Sequence, residues 1–238
     1  MLPLFLVDNL PNSGSLEIDG DEAKHAISAL RIKSGELVSI TDGKGGRAEA
    51  QVVSVARKSF VIEIKNYHLE QHSAVKLTVV QALTKGDRAR ETIELLTEAG
   101  VDQIIPWNAQ RCIGQWKDDA LEKWRVWSRE ATKQSRRSWI PQVSNIHSTS
   151  DLVGVLSNFD LSLIFHESGE KKLSQALQDK SPTSVLIVIG PEGGISESEG
   201  QLLKAAGATE VTMGKPVFRS AHAGAAALAA VQTGLRIW

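Results

Sequence analysis

The sequence has 238 residues, of which 42% are hydrophobic and 23% charged, enough for one large or two small domains with a proper core. No stretch is both long and apolar enough to cross a bilayer and no basic leader precedes the first apolar residues, so we expect a cytoplasmic protein with no membrane partner. Cys112 is the sole cysteine and the net charge is −1. The composition therefore excludes an internal disulfide and a thiolate metal cluster, and any RNA-binding residues must be gathered locally.

The first seventy residues predict a small β-rich domain built around one helix. The apolar spacing over residues 22–30 is helical, and the glycine-rich segment 42–46 is a strong turn signal. Predicted strands lie at residues 37–41, 48–55 and 59–64, a spacing that favours a small barrel. The polar segment 67–74 contains His68 and His72, which lack a third metal ligand, so we predict no metal site there. We place the end of the first domain at residue 72.

Residues 73–238 have the pattern of an α/β domain with a mainly parallel sheet. Thr84 and Asp87 predict the cap of a helix that runs to about residue 99, and a second long helix is predicted over residues 118–137. Short apolar runs of the kind found in central parallel strands alternate with such helices. These predicted strands lie at residues 75–83, 101–106, 161–165, 185–189 and 211–213.

A first glycine loop follows the predicted strand 185–189. It contains Glu192 and leads into a helix whose start is predicted by the capping-box spacing of Ser196 and Glu199. Ligands of open α/β sheets gather at the carboxyl ends of strands, where glycines let backbone groups approach closely. A glutamate suits a cationic or polar ligand better than a phosphate. The residues alone leave two interpretations open, a ligand site or a tight turn with a solvated glutamate.

A second glycine loop, residues 213–220, follows the predicted strand 211–213. Gly214 stands at the strand exit and Pro216 stiffens the turn. The following segment 221–235 is rich in alanine, which indicates a helix that packs closely against its neighbour or, as an alternative, a subunit interface. Tight packing is the simpler interpretation.

A basic stripe lies on the predicted long helix. Its residues recur at steps of three and four, close to one helical face, and they are Arg125, Arg129, Lys133, Arg136 and Arg137. Trp124, Trp127 and Trp139 flank the stripe. Guanidinium groups contact phosphates and exposed aromatics stack on unpaired bases, which indicates an RNA surface. The alternative is a solvated helix face with the tryptophans turned into the core.

Taken together, these residues resemble a known family. The segment Ile189-Gly-Pro-Glu-Gly-Gly-Ile-Ser-Glu-Ser-Glu199 is similar to the IGPEGG-x-S-x-x-E motif of the RsmE family, the 16S ribosomal RNA uridine-N3 methyltransferases. Further segments fit that family in order along nearly the whole chain. They are His25 to Arg31, Lys85 to Arg88, Thr97 to Asp102, Arg111-Cys112, Arg129 to Arg137, and Met213-Gly214 with Val217 to Arg219.

The resemblance implies an N-terminal PUA-like β-barrel and a C-terminal SPOUT α/β domain with a trefoil knot, a topology that general folding rules would not propose. It implies a homodimer that binds S-adenosylmethionine (SAM) in a bent shape. The strands ending at Ile189 and Met213 are then expected to lie side by side, with their glycine-bearing exits enclosing the cofactor. The implied cofactor-binding residues are His166, Ile189, Gly190, Glu192, Gly193, Met213, Gly214, Val217, Phe218 and Arg219.

The same resemblance gives hypotheses about catalysis. Methylation of uridine N3 needs a cation near the uracil carbonyls, for which we predict Arg219, and a proton acceptor near N3, for which Glu192 and His222 are both open. Many family members have Leu-Arg-Thr-Glu-Thr where this chain has Phe218 to His222, so the frequent glutamate is Ala221 here. The small-subunit RNA or ribosomal particle is expected to lie along the basic stripe and the N-terminal barrel, with Arg31 a further contact.

Two other functions remain open from the sequence. One is a SPOUT methyltransferase that modifies a ribose 2′-hydroxyl in another RNA, which mass spectrometry of the product would distinguish. The other is a non-catalytic ribosomal RNA-binding assembly factor, which would have no need of SAM. The intact glycine loops favour an enzyme, and Ala221 favours the assembly factor.

Overall fold

The computed structural model describes residues 2–86 and 88–238. The chain divides into two compact units. The first unit contains the residues up to His72 together with Thr132–Ile140, and the second contains Ser73–Ala131 and Pro141–Trp238. Segment 132–140 thus belongs to the first unit, although it lies far beyond residue 72 in the sequence.

The first unit is built on a five-stranded sheet in the order β1-β3-β4-β5-β2. β1 runs parallel to β3, and the other pairs are antiparallel. The predicted helix begins as α1 and continues as a π-helical turn over Ala26–Leu30. The elements are β1 (Leu4–Leu6), β2 (Gly14–Ile18), α1 (Gly20–His25), β3 (Leu37–Thr41), β4 (Gly46–Val55) and β5 (Phe60–Leu69).

β5 corrects one prediction. Residues 67–69, expected to begin a polar linker, are the last part of this strand, because they pair with the start of β4 through Ala48↔Tyr67 and Gly46↔Leu69. Polar side chains are tolerated there because an antiparallel sheet can face water on one side. In the hydrophobic core of this unit, Phe5 and Phe60 pack edge to face with ring centroids 5.3 Å apart.

Trp139 attaches segment 132–140 to the rest of the first unit. Its ring stacks on His72 with centroids 3.5 Å apart, and its indole N–H donates to the Glu70 carbonyl at 3.1 Å. A Cβ added at Gly45, which has φ +96°, would lie 2.3 Å from that ring, so the glycine permits the close contact.

The second unit contains a seven-stranded sheet in the order β10-β12-β9-β11-β6-β7-β8, with every pair parallel. Its strands are β6 (Lys76–Ala82), β7 (Gln103–Trp107), β8 (Gln142–Val143), β9 (Leu161–Phe165), β10 (Lys171–Lys172), β11 (Ser184–Ile189) and β12 (Thr209–Thr212). Its helices are α2 (Arg88–Glu98), α3 (Ala120–Ser135, which continues into the first unit), α4 (Thr149–Val155, followed by a 3-10 turn at Leu156–Asn158), α5 (Leu173–Leu177), α6 (Glu197–Ala205) and α7 (Ser220–Gly234).

The central strand β11 explains why this sheet is parallel and covered on both faces. Val185, Ile187 and Ile189 pack into one hydrophobic cluster, whereas Leu186 and Val188 pack into a second. A strand buried on both faces needs a continuous apolar run rather than an alternating one. The strand predicted at residues 185–189 is confirmed for this reason.

One predicted helix end differs from the observed one. α3 ends at Ser135 rather than at residue 137, because Arg136 adopts a left-handed conformation with φ 59°. Arg136 N donates to Lys133 O and Arg137 N donates to Thr132 O, the hydrogen-bond pattern of a Schellman helix end. At the start of α2, the predicted capping residue Asp87 lies outside the described residues.

Candidate active site

A cavity of about 940 Å³ lies at the carboxyl ends of β9, β11 and β12. The expectation that the strands ending at Ile189 and Met213 lie side by side is wrong, because β9 pairs with β11 on one side and with β12 on the other. The two glycine-bearing exits nevertheless open into this one cavity, and the exit of β9 at His166 joins them. Three strand exits therefore form the site.

The cavity brings together all the residues predicted to bind the cofactor. Those lining it are His166, Ile189, Gly190, Glu192, Gly193, Met213, Gly214, Val217, Phe218 and Arg219. Its volume lies near the upper end of the ligand-pocket range of about 300 to 1,000 Å³. The cavity thus has room for a ligand of cofactor size.

The first glycine loop, Gly190–Gly194, is shaped by a backbone hydrogen bond within it and by the side chain of Ile195, which follows it. Gly194 N donates to the Pro191 carbonyl at 2.9 Å, which closes a tight turn in which Gly194 has φ +74°. The buried side chain of Ile195 lies under Gly190, where an added Cβ would be 2.6 Å from Ile195 Cγ1. A side chain at Gly190 would therefore displace either the loop or Ile195.

Glu199 fixes the junction between this loop and α6. Its buried carboxylate accepts hydrogen bonds from Gln110 N at 2.8 Å, Thr149 Oγ1 at 2.9 Å and Ser196 Oγ at 2.8 Å. The capping box predicted for Ser196 and Glu199 is confirmed. Burial raises the pKa of the Glu199 carboxyl, but the hydrogen bonds to Gln110, Ser196 and Thr149 outweigh burial and hold this pKa below its ordinary value.

The second glycine loop, Met213–Arg219, is far more exposed. The side chains of Val217 and Phe218 are 68% and 50% exposed. Gly214 has φ +144°, a conformation that other residues rarely adopt, and its N–H lies 3.3 Å from Thr212 Oγ1. Arg219 is exposed and precedes α7, and its carbonyl accepts from the amides of His222 and Ala223 in that helix.

Charged side chains of both signs line the cavity. Carboxylates suit cationic centres, and guanidinium and ammonium groups suit carboxylates or phosphates. Among the described lining residues the acidic ones are Glu167, Glu192, Glu197 and Glu210, and the basic ones are Arg88, Arg111, Lys204 and Arg219. Such a site can hold a ligand that carries charges of both signs.

The structure separates the two candidate proton acceptors. Glu192 is exposed and lines the cavity, with Lys85 N at 3.5 Å from its Oε1 atom. His222 lies on α7 and is not among the lining residues, and its Nε2 atom is 3.1 Å from Glu91 Oε1 on α2. The cavity therefore brings Glu192 and Arg219 together and leaves His222 in a different contact.

Sequence reasoning missed two arginines and one helix face that line the cavity. Arg88 begins α2, and Arg111 donates from Nη1 to the Gly193 carbonyl at 3.2 Å. Arg111 follows β7, another strand of the parallel sheet, which was an available signal. The α6 face that lines the cavity consists of Glu197, Gly200, Gln201 and Lys204. Their i, i+3, i+4, i+7 spacing places them on one side of a helix, which the sequence could have predicted.

The predicted RNA-binding residues do not form one continuous helical face. Arg125 is exposed on α3, but the Lys133 side chain is only 13% exposed and forms an ion pair with Glu22 at 2.6 Å. Arg136 and Arg137 lie beyond the end of α3, and the Arg136 carbonyl accepts from Arg47 Nη1 at 2.7 Å. The remaining predicted contacts are Arg129, half-buried on α3, and Arg31, exposed with φ 54°.

The tryptophans that flank this stripe have structural contacts. Trp124 is buried and packs edge to face against Trp116, with ring centroids 5.3 Å apart. Trp127 packs partly buried against the same core, and Trp139 stacks on His72. For Trp124 the core interpretation is therefore the right one.

Two further findings concern the described residues as a whole. None of their helices combines the length and apolarity that a membrane span requires. No group of three or more histidine, cysteine, aspartate or glutamate side chains within residues 2–86 and 88–238 is arranged to hold a metal ion.

Two family models match the chain. One, described as an RNA methyltransferase domain, matches residues 71–232, and the other, described as an RNA methyltransferase PUA domain, matches residues 18–65. Among curated proteins, the ribosomal RNA small subunit methyltransferase E of Mycobacterium bovis is 37% identical over 96% of this chain and 90% of its own length. The protein of the same name from Bacillus subtilis is 29% identical over 91% of this chain and 89% of its own.

Solved structures are similar over nearly the full length. The ribosomal RNA small subunit methyltransferase E of Neisseria gonorrhoeae, bound to S-adenosyl methionine, superimposes with a TM-score of 0.87 at 28% identity and covers 98% of both chains. A protein of Legionella pneumophila, solved with bound SAM, gives a TM-score of 0.86 at 25% identity, again over 98% of both chains.

Proposed function

This chain belongs to the family of ribosomal RNA small subunit methyltransferases E, and from that premise we propose that it transfers a methyl group from SAM to N3 of one uridine in 16S RNA. The coarser part of this function, SAM-dependent methylation of small-subunit ribosomal RNA, follows from the family. The choice of uridine N3 follows from the family resemblance of the glycine-loop motif at residues 189–199.

The observation that carries the proposal is the single cavity into which both glycine loops open. SAM carries a sulfonium and an ammonium group beside a carboxylate, and the cavity offers both Glu192 and Arg219 to such a ligand. Gly190 and Gly193 leave the backbone of the first loop accessible, since side chains there would meet Ile195 and Arg111. The residues present therefore fit the cofactor, with the ten predicted binding residues as its contacts.

We derive the chemical roles from the requirements of the substrate. When bound, SAM supplies an electrophilic methyl group. N3 of uracil carries a weakly acidic proton, and its lone pair becomes nucleophilic once that proton leaves. Arg219 stabilises the charge that develops on the uracil carbonyl oxygens, because it lines the cavity and carries the opposite charge. Glu192 accepts the N3 proton at a carboxylate oxygen, since it lines the cavity and His222 does not.

The substrate RNA extends beyond the cavity. We assign its phosphates to exposed arginines near the site, Arg88 and Arg111, and to Arg125, Arg129 and Arg31 on the outer surface. Arg136 and Arg137 remain candidate contacts, whereas Lys133 is the weakest because of its ion pair with Glu22. The resemblance further supports a homodimer, which light scattering would test, and action in the cytoplasm, where small subunits are found.

The decisive experiment maps the methyl group. Small subunits and free 16S RNA from cells lacking this protein are incubated with the purified protein and SAM, and the RNA is digested and analysed by mass spectrometry. We expect 3-methyluridine at one site. A ribose 2′-O-methyl product, or a methylated base other than uracil, would contradict the proposal, and the comparison of particle with free RNA identifies the substrate.

The mechanism makes one prediction with a large effect. Arg219→Ala removes the cation and reduces turnover by at least about a hundredfold, in line with the loss of one oxyanion-stabilising group. Because Arg219 is exposed, the variant keeps the thermal stability and oligomeric state of the parent protein. Turnover is measured by transfer of a labelled methyl group, and near-normal methylation by this variant would remove Arg219 from the mechanism.

A further inference from the structure

The buried side chain of Gln81 lies beneath the cavity, on β6. It pairs in register with Ile189, the last residue of β11, and is 1% exposed. Its amide Nε2 donates to the Ala82 carbonyl at 3.1 Å and to Ser220 Oγ at 3.3 Å. Because a backbone carbonyl can only accept, the group that faces Ala82 must be the NH₂ group, which fixes the orientation of the amide.

Ser220 continues this chain of hydrogen bonds to the first glycine loop. Its hydroxyl is buried at the start of α7 and donates to the Gly190 carbonyl at 2.7 Å. A hydroxyl has one proton to donate, and Gly190 O takes it, so the oxygen is left to accept from Gln81. The Gln81 NH₂ group, the Ser220 hydroxyl and the Gly190 carbonyl thus form one chain of hydrogen bonds, while Gln81 Oε1 is buried without a hydrogen-bond partner among the described residues.

The backbone of α7 makes room for this arrangement at Gly224. A Cβ added there would lie 2.6 Å from Leu96 Cδ2 and 3.2 Å from Gln81 Oε1. The glycine thus lets α7 approach β6 closely enough for Ser220 to reach both Gln81 and Gly190. Ser220 directly follows Arg219, so the same hydroxyl connects the second glycine loop to the first.

We propose that Ser220 is a positioning residue that holds the two glycine loops in the geometry required for SAM, with Gln81 orienting its hydroxyl. This inference rests on the proposed function for the identity of the ligand. Removing the hydroxyl leaves the Gly190 carbonyl without its buried donor and frees Arg219 to shift relative to the first loop. We expect a loss of SAM affinity of about tenfold, which is the effect of one buried hydrogen bond.

The test compares Ser220→Ala with two control variants. Ser220→Thr keeps the hydroxyl, so it should restore SAM binding. Ser162→Ala removes a buried hydroxyl on β9, whose oxygen has no hydrogen-bond partner among the described residues and which does not line the cavity. Ser162→Ala should leave SAM binding unchanged.

Three measurements separate positioning from folding. Calorimetry gives the SAM dissociation constant, thermal denaturation gives the stability without ligand, and amide hydrogen exchange reports the protection of residues 189–194. Ser220→Ala should weaken SAM binding and raise exchange in that segment, and its melting temperature should fall modestly because the Gly190 carbonyl loses its buried donor, so binding is measured well below that temperature. Gln81→Met should produce a smaller loss, and the double variant should be no worse than Ser220→Ala because the two groups act in one chain.

The outcomes are distinct. Unchanged SAM binding by Ser220→Ala, or a defect that Ser220→Thr does not rescue, would overturn the positioning role. An equal loss in Ser162→Ala would also overturn it, since the effect would then follow from the loss of any buried hydroxyl in the second unit. Failure of the unmodified protein to bind SAM would contradict the proposed function instead.

Discussion

The first glycine loop, between β11 and α6, is held by the protein itself, whereas the second, between β12 and α7, is largely open to solvent. Under the first loop lies the buried Ile195, and Glu199 secures its exit into α6 with hydrogen bonds from two other segments. The second loop exposes Val217 and Phe218 and is fixed mainly where it enters α7 at Ser220. The two loops line the same cavity with very different support.

This difference indicates that the two loops contribute to ligand binding in different ways. A loop that is already shaped loses little conformational entropy when a ligand arrives, so it supplies affinity at low cost. An exposed apolar loop gains contacts only when the ligand is present. Ligand-binding loops of this kind generally open locally at a low cost in free energy. We therefore expect substitutions in the first loop to change protein stability, and those in the second to change ligand affinity.

The largest expected effect is that of Ile195→Ala. Removing a buried side chain of this size lowers the free energy of unfolding by about 2 to 5 kcal/mol, because the cavity left under Gly190 cannot fully collapse. Denaturant unfolding measures the change. Ile113→Ala is the matched control, since that isoleucine is 59% exposed and should change stability by less than about 0.5 kcal/mol. Similar losses in both variants would contradict a preformed first loop.

A smaller effect is expected for Glu199→Gln. The amide can accept fewer of the bonds from Gln110, Thr149 and Ser196, so stability falls by about 1 to 3 kcal/mol at neutral pH. The folded carboxyl has a lowered pKa. Its contribution is therefore fully present above the unfolded pKa of about 4.3 and is lost as the pH falls through the lower folded pKa.

The measurement for Glu199 is unfolding from neutral pH to about pH 3, well below the ordinary carboxyl pKa. The difference between the parent protein and Glu199→Gln should shrink as the pH falls. Glu197→Gln, on the exposed side of the same helical turn, serves as the control and should show little difference at any pH. A constant difference between the parent and Glu199→Gln across the whole range would show that the charge of Glu199 is not what stabilises the junction.

The smallest change in stability is expected for Phe218→Ala. This exposed side chain contributes less than about 0.5 kcal/mol to folding. Loss of the contact proposed for Phe218 with the cofactor should nevertheless make SAM binding about fivefold weaker, in line with about 1 kcal/mol for one aromatic contact. Thermal denaturation and calorimetry on one preparation give both values. A loss of stability as large as that of Ile195→Ala would remove the contrast between the loops.

The sequence by itself was enough to predict several local elements of the second unit. The apolar run at residues 185–189 predicted the central strand because a strand covered on both faces needs no polar alternation. The spacing of Ser196 and Glu199 predicted the helix start, and the two glycine loops that the sequence singled out both line the cavity. Each of these features depends on residues that are close together in the chain, so the sequence alone is sufficient to predict it.

Only the tertiary structure decided which distant segments meet. In the structure β9 lies between β11 and β12, Lys133 forms an ion pair with Glu22, and His222 faces Glu91 rather than the cavity. The fold also brings Ser220 to the carbonyl of Gly190, thirty positions earlier in the chain. Strand order and helix approach depend on how whole faces pack, and no local pattern of residue types encodes those choices.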